Sequence, residues 1–157
     1  MDEQSKHMDK AIKLALDNVN NNSGGPFGAV IVKDGKVIAS AGNTVTTESD
    51  PTAHAEINAI RKACKELGTF DLHGCEIYAS CEPCPMCLSA IYWARIDRLF
   101  YAANHQDAAA AGFNDAFIYE ELAKPMTQRA VPSKNIKATE GKIPFDAWEK
   151  SVNKTPY

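Results

Sequence analysis

Two short segments, each at the predicted start of a helix, carry most of the chemistry in this chain. Residues 52–56 read Thr-Ala-His-Ala-Glu, and residues 83–87 read Pro-Cys-Pro-Met-Cys. The imidazole of His54 and the thiolates of Cys84 and Cys87 form a donor set that suits zinc. Three protein ligands leave a fourth position on the metal for water, as in catalytic zinc sites. The pair of segments therefore predicts a zinc centre that is open to water.

A carboxylate stands beside the predicted histidine ligand. Residues two apart on a helix point in different directions, so His54 and Glu56 cannot easily converge on one ion. A structural zinc site has no need of such a carboxylate, whereas a hydrolytic site needs a group that moves protons. We therefore expect Glu56 to take a proton from the activated water and deliver it to the substrate, which makes the chain an enzyme.

Other interpretations of these residues remain open. A Cys-x-x-Cys pair can also be a redox pair or half of a structural metal site. Cys81 could act as a fourth ligand and close the site, although it precedes Pro83 at a predicted strand end and would leave Glu56 idle. A non-catalytic, zinc-stabilised binding module would keep the same ligands and also leave Glu56 idle.

Composition limits the class of protein. The 157 residues are 45% hydrophobic and 24% charged, which predicts one globular domain over residues 1–157. No apolar run reaches the roughly 20 residues of a membrane-spanning helix, and the polar N-terminus does not resemble a signal peptide. Five cysteines without an export signal predict a reducing, cytoplasmic location. A net charge of −3 without a basic cluster predicts no nucleic-acid partner.

Helices and strands alternate along the predicted chain, which indicates an α/β layer fold. Thr52 is predicted to be the N-cap of its helix, which would place His54 in the first turn. The predicted elements are a helix over 8–19, strands over 27–32 and 36–41 joined at Asp34-Gly35, a helix over 52–67, a strand over 76–80, a helix ending at 94, a strand over 98–103, a helical segment over 108–122 interrupted near Gly112, a strand over 135–139 and a helix over 145–152.

This residue pattern resembles the zinc-dependent cytidine/cytosine deaminase superfamily. Further segments are similar to the small bacterial-type guanine deaminases, and the resemblance extends over about residues 9–157. The segments that carry it are residues 24–32, 50–56, 80–87, 90–95 and 110–119. The resemblance implies a three-layer α/β/α sandwich with a mixed five-stranded sheet. It also implies one zinc ion per subunit and the hydrolysis of guanine to xanthine and ammonia.

The resemblance also implies polar roles for residues outside the zinc motifs. Asn43 matches an asparagine that reads the edge of the base, and the backbone N–H of Ala55 matches a donor to the base. Asp115 matches a second acid that moves a proton toward the leaving ammonia. Asn114 departs from relatives that often carry a second aspartate there, so the local acid pair is reduced to one.

Three aromatic residues complete the implied pocket. Phe27 and Trp93 match walls that hold a flat purine by stacking, and Tyr157 matches a C-terminal tyrosine that closes the pocket. In the family this C-terminal segment, about residues 130–157 here, can be exchanged between subunits, which implies a homodimer. The closing tyrosine would then come from either subunit.

Other deaminase activities remain as alternatives. A guanosine deaminase would share most motifs, although Tyr92-Trp93 resembles the free-base enzymes and a bulky Trp93 would crowd a ribose. A tRNA adenosine deaminase would need clustered basic residues, and a cytosine deaminase fits poorly with residues 113–119. Three histidines match no motif and are expected to have surface or structural roles: His7, His73 and His105.

Overall fold

The chain forms two compact units. The computed structural model describes residues 2–157; the first unit ends at Ala116 and the second spans Phe117–Tyr157. The first unit contains α1 Glu3–Asn20, β1 Gly28–Lys33, β2 Lys36–Gly42, α2 Val45–Glu48, α3 Ala55–Leu67, β3 Cys75–Cys81, α4 Pro85–Trp93, β4 Arg98–Ala103 and α5 His105–Ala110. Helix α6, Ala116–Ala123, is followed by 3₁₀ turns at Met126–Gln128 and Glu140–Lys142 and by α7, Ile143–Lys150. No helix within residues 2–157 has the length and apolar character needed to span a bilayer.

A mixed sheet of four strands forms the centre of the first unit, in the order β2-β1-β3-β4. Strand β1 is antiparallel to both β2 and β3, and β3 is parallel to β4. The predicted hairpin is confirmed, because Asp34 and Gly35 take φ values of 49° and 73°, as a tight two-residue turn requires. The parallel pair places the C-terminal ends of β3 and β4 side by side.

Side chains of β1 alternate between two hydrophobic clusters. Ala29 and Ile31 pack with Ala59 of α3 and other residues of α3 and α4 on one face. Val30 and Val32 pack with α1 on the opposite face. The sheet therefore lies between two helical layers, and the predicted three-layer α/β/α arrangement is confirmed.

The predicted strand over 135–139 is wrong, so the sheet has four strands rather than the expected five. Residues 132–137 have no regular secondary structure. Lys137 takes a φ of 56°, which is incompatible with an extended strand. Ile136 is 72% exposed, so it gives this segment no buried apolar face.

The predicted N-cap of α3 is also wrong. The N-cap is His54, which keeps extended dihedral angles (φ −67°, ψ 156°), and the helix begins at Ala55. The hydroxyl of Thr52 donates to Oδ1 of Asp50 at 2.7 Å and its N–H donates to the same atom at 2.8 Å. Because this local turn uses the hydroxyl, Thr52 does not cap the helix.

The interruption predicted near Gly112 is confirmed. Helix α5 ends at Ala110, Gly112 takes a φ of 95°, and residues 113–115 have no helical structure. In the second unit, the guanidinium of Arg129 donates to the carbonyl oxygens of Glu121 and Lys124 at 3.1 and 3.3 Å. These bonds satisfy carbonyl groups at the end of α6.

Candidate active site

Three potential metal donors meet where the starts of α3 and α4 approach each other. Nδ1 of His54 lies 3.5 Å from Sγ of both Cys84 and Cys87, and all three donor atoms lie within 4.8 Å of one another. His54 and Cys84 are the N-cap residues of their helices, and Pro85 follows Cys84 at a position where the missing N–H is harmless. The two N-cap positions, together with Cys87 in the first turn of α4, therefore bring the three donor atoms close together.

The separation of these atoms fits a tetrahedral zinc ion. Ligands at typical Zn–S and Zn–N distances lie about 3.6 Å apart around a tetrahedral centre, close to the 3.5 Å observed here between Nδ1 and each sulfur. One imidazole and two thiolates also match the preference of zinc. The residues present therefore fit this metal.

Cys81 directs its thiol away from the group of three donors. Its Sγ donates to the carbonyl oxygen of Asn104 at 3.7 Å, and burial raises the pKa of this thiol to about 11. It does not belong to the group of potential metal ligands found among residues 2–157. A closed site with four protein ligands therefore has no support at Cys81.

Glu56 lies beside the donors but outside their set. Its side chain is almost fully buried, at 7% exposure, and its Oε2 lies 3.5 Å from the Cys87 sulfur. Burial is the main reason that the pKa of this carboxyl is raised. A buried carboxyl at this place can both accept and release a proton.

The two cysteines differ in protonation in the metal-free chain. Interaction with the Cys87 side chain is the main reason that the pKa of Cys84 falls to about 4. The same contact raises the pKa of Cys87. The bond to Cys84 is also the main reason that the pKa of His54 is raised. The Cys84 thiol is thus the more readily ionised of the two, and metal binding would release the remaining ligand protons.

Asn43 lies at the end of β2, where its side chain is buried. Its Oδ1 accepts a hydrogen bond from the N–H of Val45 at 3.1 Å. This bond occupies the side-chain oxygen, so the amide nitrogen is the atom that can donate to a bound molecule. The structure therefore gives Asn43 a turn-stabilising bond and a remaining donor group.

Asp115 lies directly before α6, and its side chain is 19% exposed. Its Oδ1 lies 3.2 Å from Nδ1 of His105. The negative charge of Asp115 adds to the raised pKa of His54, after the larger contribution of the Cys84 hydrogen bond. Asp115 is therefore close enough to the predicted metal ligands to act on them electrostatically.

Residues 1–103, which include both motifs, match the cytidine and deoxycytidylate deaminase zinc-binding region. The chain belongs to this family. Zinc is the cofactor of this deaminase, in agreement with the convergence of one histidine and two cysteines.

Individual relatives place the deaminase within its family. It is 58% identical to the guanine deaminase of Bacillus subtilis over 148 residues, which are 94% of this chain and 95% of the relative. The X-ray structure of guanine deaminase from Bacillus subtilis superposes with a TM-score of 0.95 at 56% identity and covers 98% of both chains. The tRNA-specific adenosine deaminase of Aquifex aeolicus is 49% identical over 78 residues, or 50% of this chain and 52% of the relative.

The aromatic residues predicted to line the pocket differ in how exposed they are. Phe27 packs against Phe113 edge to face, with ring centroids 4.9 Å apart. Trp93 is the last residue of α4 and is largely exposed. Tyr157 belongs to the second unit and is also exposed. The pocket roles of Phe27, Trp93 and Tyr157 stay predictions.

The sequence analysis did not identify two asparagines whose side chains hold the loops around the site. Nδ2 of Asn18 donates to the carbonyl oxygens of Gly25 and Asn43 at 2.9 and 2.8 Å. Nδ2 of Asn58 donates to the carbonyl oxygen of Gly42 at 3.1 Å and to Oγ1 of Thr44 at 2.9 Å. Both lie on the inward faces of their helices, and a polar residue at such a position is the signal that could have identified them.

Proposed function

We propose that this deaminase hydrolyses the exocyclic amino group of guanine and releases xanthine and ammonia. The observation that carries this assignment is the extent of the similarity to a guanine deaminase, which reaches far beyond the zinc region. The tRNA-specific adenosine deaminases are more distant: that of Aquifex aeolicus is 49% identical over 50% of this chain, and that of Bacillus subtilis is 36% identical over 77% of it. The net charge of −3 also supports a small purine rather than a polyanion as the substrate.

His54, Cys84 and Cys87 are the proposed zinc ligands. Zinc supplies Lewis-acid activation of water at neutral pH when it is bound. The position of Cys87 next to Glu56, 3.5 Å from its Oε2, keeps the carboxyl within reach of the reacting groups. Partial burial raises the pKa of Cys64 and burial raises that of Cys75, and neither thiol is proposed to take part in the reaction.

Glu56 is the proposed proton carrier. In guanine, C2 carries the amino group and lies between two ring nitrogens. Glu56 accepts a proton from the attacking water and delivers it to a ring nitrogen, while the water oxygen adds to C2 and makes it tetrahedral. Glu56 then takes the proton of the new C2 hydroxyl group and passes it to the departing nitrogen, so that the C2 carbonyl forms as the C–N bond breaks. Asp115 is the proposed second acid that helps protonate the leaving ammonia.

The base is held by donors and aromatic rings. The amide nitrogen of Asn43 is proposed to donate to an acceptor on the base, since its oxygen is bonded to Val45. The N–H of Ala55, at the first position of α3, has no acceptor within its own helix and is proposed as a second donor. Phe27, supported by Phe113, is proposed as one wall of the pocket and Trp93 as another.

We also infer that the active form is a homodimer in the cytoplasm. In this form residues 130–157 are exchanged between subunits, and Tyr157 closes a pocket in its own or the partner chain. The exposure of Tyr157 within the isolated chain is compatible with such a role. Native mass spectrometry of the active protein should show a dimer; an active species that is only monomeric would contradict the exchange.

The substrate assignment is tested by a comparative assay. Purified zinc-loaded protein is supplied separately with guanine, guanosine, adenine, cytosine and an unmodified tRNA that contains adenosine at the wobble position, and the release of ammonia or inosine is measured. We expect turnover of guanine alone, and loss of turnover in the chelated protein. Preferred turnover of guanosine or of the tRNA would reject the proposal in favour of the corresponding activity.

A further inference from the structure

His105, which no sequence motif singled out, lies between two carboxylates. Its Nε2 is 3.2 Å from Oε1 of Glu82, and its Nδ1 is 3.2 Å from Oδ1 of Asp115. The three side chains are each at most 30% exposed. Nδ1 of His105 and Oδ1 of Asp115 are both shielded from solvent, and their 3.2 Å separation is a close polar contact rather than a well-aligned hydrogen bond. The His105 ring therefore contacts both Asp115 and Glu82, which lies just before the zinc motif.

The main chain fixes the histidine relative to Glu82. The N–H of His105 donates to Oε2 of Glu82 at 3.2 Å, and the N–H of Glu82 donates to the carbonyl oxygen of Ala103 at 2.8 Å. Asn104 and Asp107 form a reciprocal capping box with both bonds at 3.0 Å. Glu82, Ala103 and His105 thus form a closed set of bonds at the adjacent ends of β3 and β4.

The segment that carries Asp115 has little regular structure of its own. Residues 113–115 belong to no helix or strand, and Gly112 takes a positive φ before them. A carboxylate on such a segment needs a side-chain partner to hold one orientation. His105 is that partner, because its Nδ1 faces the Asp115 oxygen while its other nitrogen is held by Glu82.

We propose that His105 is a positioning residue that holds the Asp115 carboxylate in its catalytic orientation and links it to the zinc segment through Glu82. This inference rests on the proposed function, in which Asp115 helps move a proton to the leaving amino group. His105 itself touches neither substrate nor metal. Its role resembles that of groups that orient catalytic side chains in other enzymes, whose removal lowers activity about 10- to 100-fold.

Three substitutions at His105 test the contacts of Nδ1 and Nε2 separately. Alanine removes both contacts, asparagine can place its amide nitrogen near the position of Nδ1, and glutamine reaches toward the position of Nε2. For guanine, we expect kcat of His105→Ala to fall about 10- to 100-fold with KM changed less than about threefold. His105→Asn should recover most of this loss, whereas His105→Gln should not.

The matched control is His73→Ala. His73 also faces an aspartate, with Nδ1 3.0 Å from Oδ1 of Asp97, but its side chain is 81% exposed. We expect its kcat to be that of the wild type. Zinc content and melting temperature are measured for every variant, because a loss of activity that parallels loss of zinc or of folding would overturn the positioning role.

A double-mutant cycle with Asp115→Asn decides whether His105 acts through Asp115. If it does, adding His105→Ala to Asp115→Asn should change kcat less than about twofold. Multiplication of the two single losses in the double variant, or equal recovery by His105→Asn and His105→Gln, would overturn the proposal. Wild-type protein that does not act on guanine would reject the proposed function itself, whereas an active wild type with unaffected His105→Ala would reject only the role of His105.

Discussion

The side-chain amide of Asn18 donates a hydrogen bond to the main-chain oxygen of Asn43, 2.8 Å away and 25 residues later in the chain. The same nitrogen donates to the carbonyl oxygen of Gly25 at 2.9 Å. A Cβ atom on Gly24 would lie 2.2 Å from the Asn43 oxygen, so only glycine lets the loop approach this closely. One side chain from α1 thus holds both loops that border the proposed pocket.

Replacing this residue should weaken both folding and substrate binding. Asn18→Ala removes both bonds; the Gly25 oxygen keeps a bond from the N–H of Phe27, but the Asn43 oxygen loses the Asn18 donor, so we expect the free energy of unfolding to fall by about 1–3 kcal/mol. KM for guanine should rise, because Asn43 loses its support. Asn20→Ala at the exposed end of the same helix is the control and should change stability by less than about 0.5 kcal/mol. Chemical denaturation and steady-state kinetics measure both effects; equal stability of the two variants would contradict this account.

Gly28 at the start of β1 should tolerate no side chain. A Cβ atom there would lie 2.3 Å from the carbonyl oxygen of Ala11 and 2.8 Å from Cβ of Leu14. We expect Gly28→Ala to destabilise the protein by about 1–3 kcal/mol, because α1 must move away from the sheet. A Cβ atom on Gly141 would meet nothing within 4 Å, so Gly141→Ala should leave the melting temperature unchanged or raise it. A melting temperature for Gly28→Ala at the wild-type value would refute the close packing.

Glu56→Gln should stop the reaction without removing zinc. Glutamine keeps the size of the side chain but cannot carry a proton at neutral pH, so kcat should fall about 10²- to 10⁴-fold. Glu66→Gln, on the exposed surface of the same helix, should retain full activity. Metal analysis should find one zinc ion per chain in both variants. Substantial turnover by zinc-loaded Glu56→Gln would end the assignment of this residue as the proton carrier.

Cys84 should be the most reactive thiol in the zinc-depleted protein. Its pKa is lowered to about 4, so at about pH 6 it is mostly thiolate, and its reactivity should decline only as the pH falls toward 4. The pKa of Cys81 is raised to about 11, and burial also raises the pKa of Cys64 and Cys75, so all three remain thiols at that pH. Iodoacetamide labelling followed by peptide mass spectrometry should therefore find Cys84 first.

Zinc provides the control for this labelling. Added zinc should protect Cys84, because its sulfur would be engaged by the metal. Labelling of Cys64 or Cys75 ahead of Cys84, or equal labelling of Cys84 with and without zinc, would contradict the assignment of Cys84 as the thiolate in this site.

The features that sequence predicted well are those with local causes. The hairpin at Asp34-Gly35 follows from residues that accept positive φ. The start of α4 follows from Pro85, whose fixed φ suits the first turn. The spacing of Cys84 and Cys87 on that turn then brings the two sulfurs to one side.

Features that depend on competition or on distant contacts could not be predicted in this way. The Thr52 hydroxyl had two possible partners, and the bond with Asp50 prevailed over the helix cap. Residues 135–139 have a plausible strand pattern, but Lys137 adopts a left-handed conformation. The importance of His105 arises from a partner 23 residues earlier, Glu82, which only the folded chain brings within reach.

The parallel pairing of β3 and β4, with Cys81 opposite Ala103, places the connections that follow these two strands side by side. The connection that follows β3 carries the cysteines, whereas the one that follows β4 carries His105 and Asp115. Glu82 at the start of the first connection contacts both the main chain and the ring of His105 in the second, so a change in one connection is expected to affect the other. Redesign of the second connection for another base would therefore have to retain the Glu82–His105 contacts in order to leave the cysteine segment undisturbed.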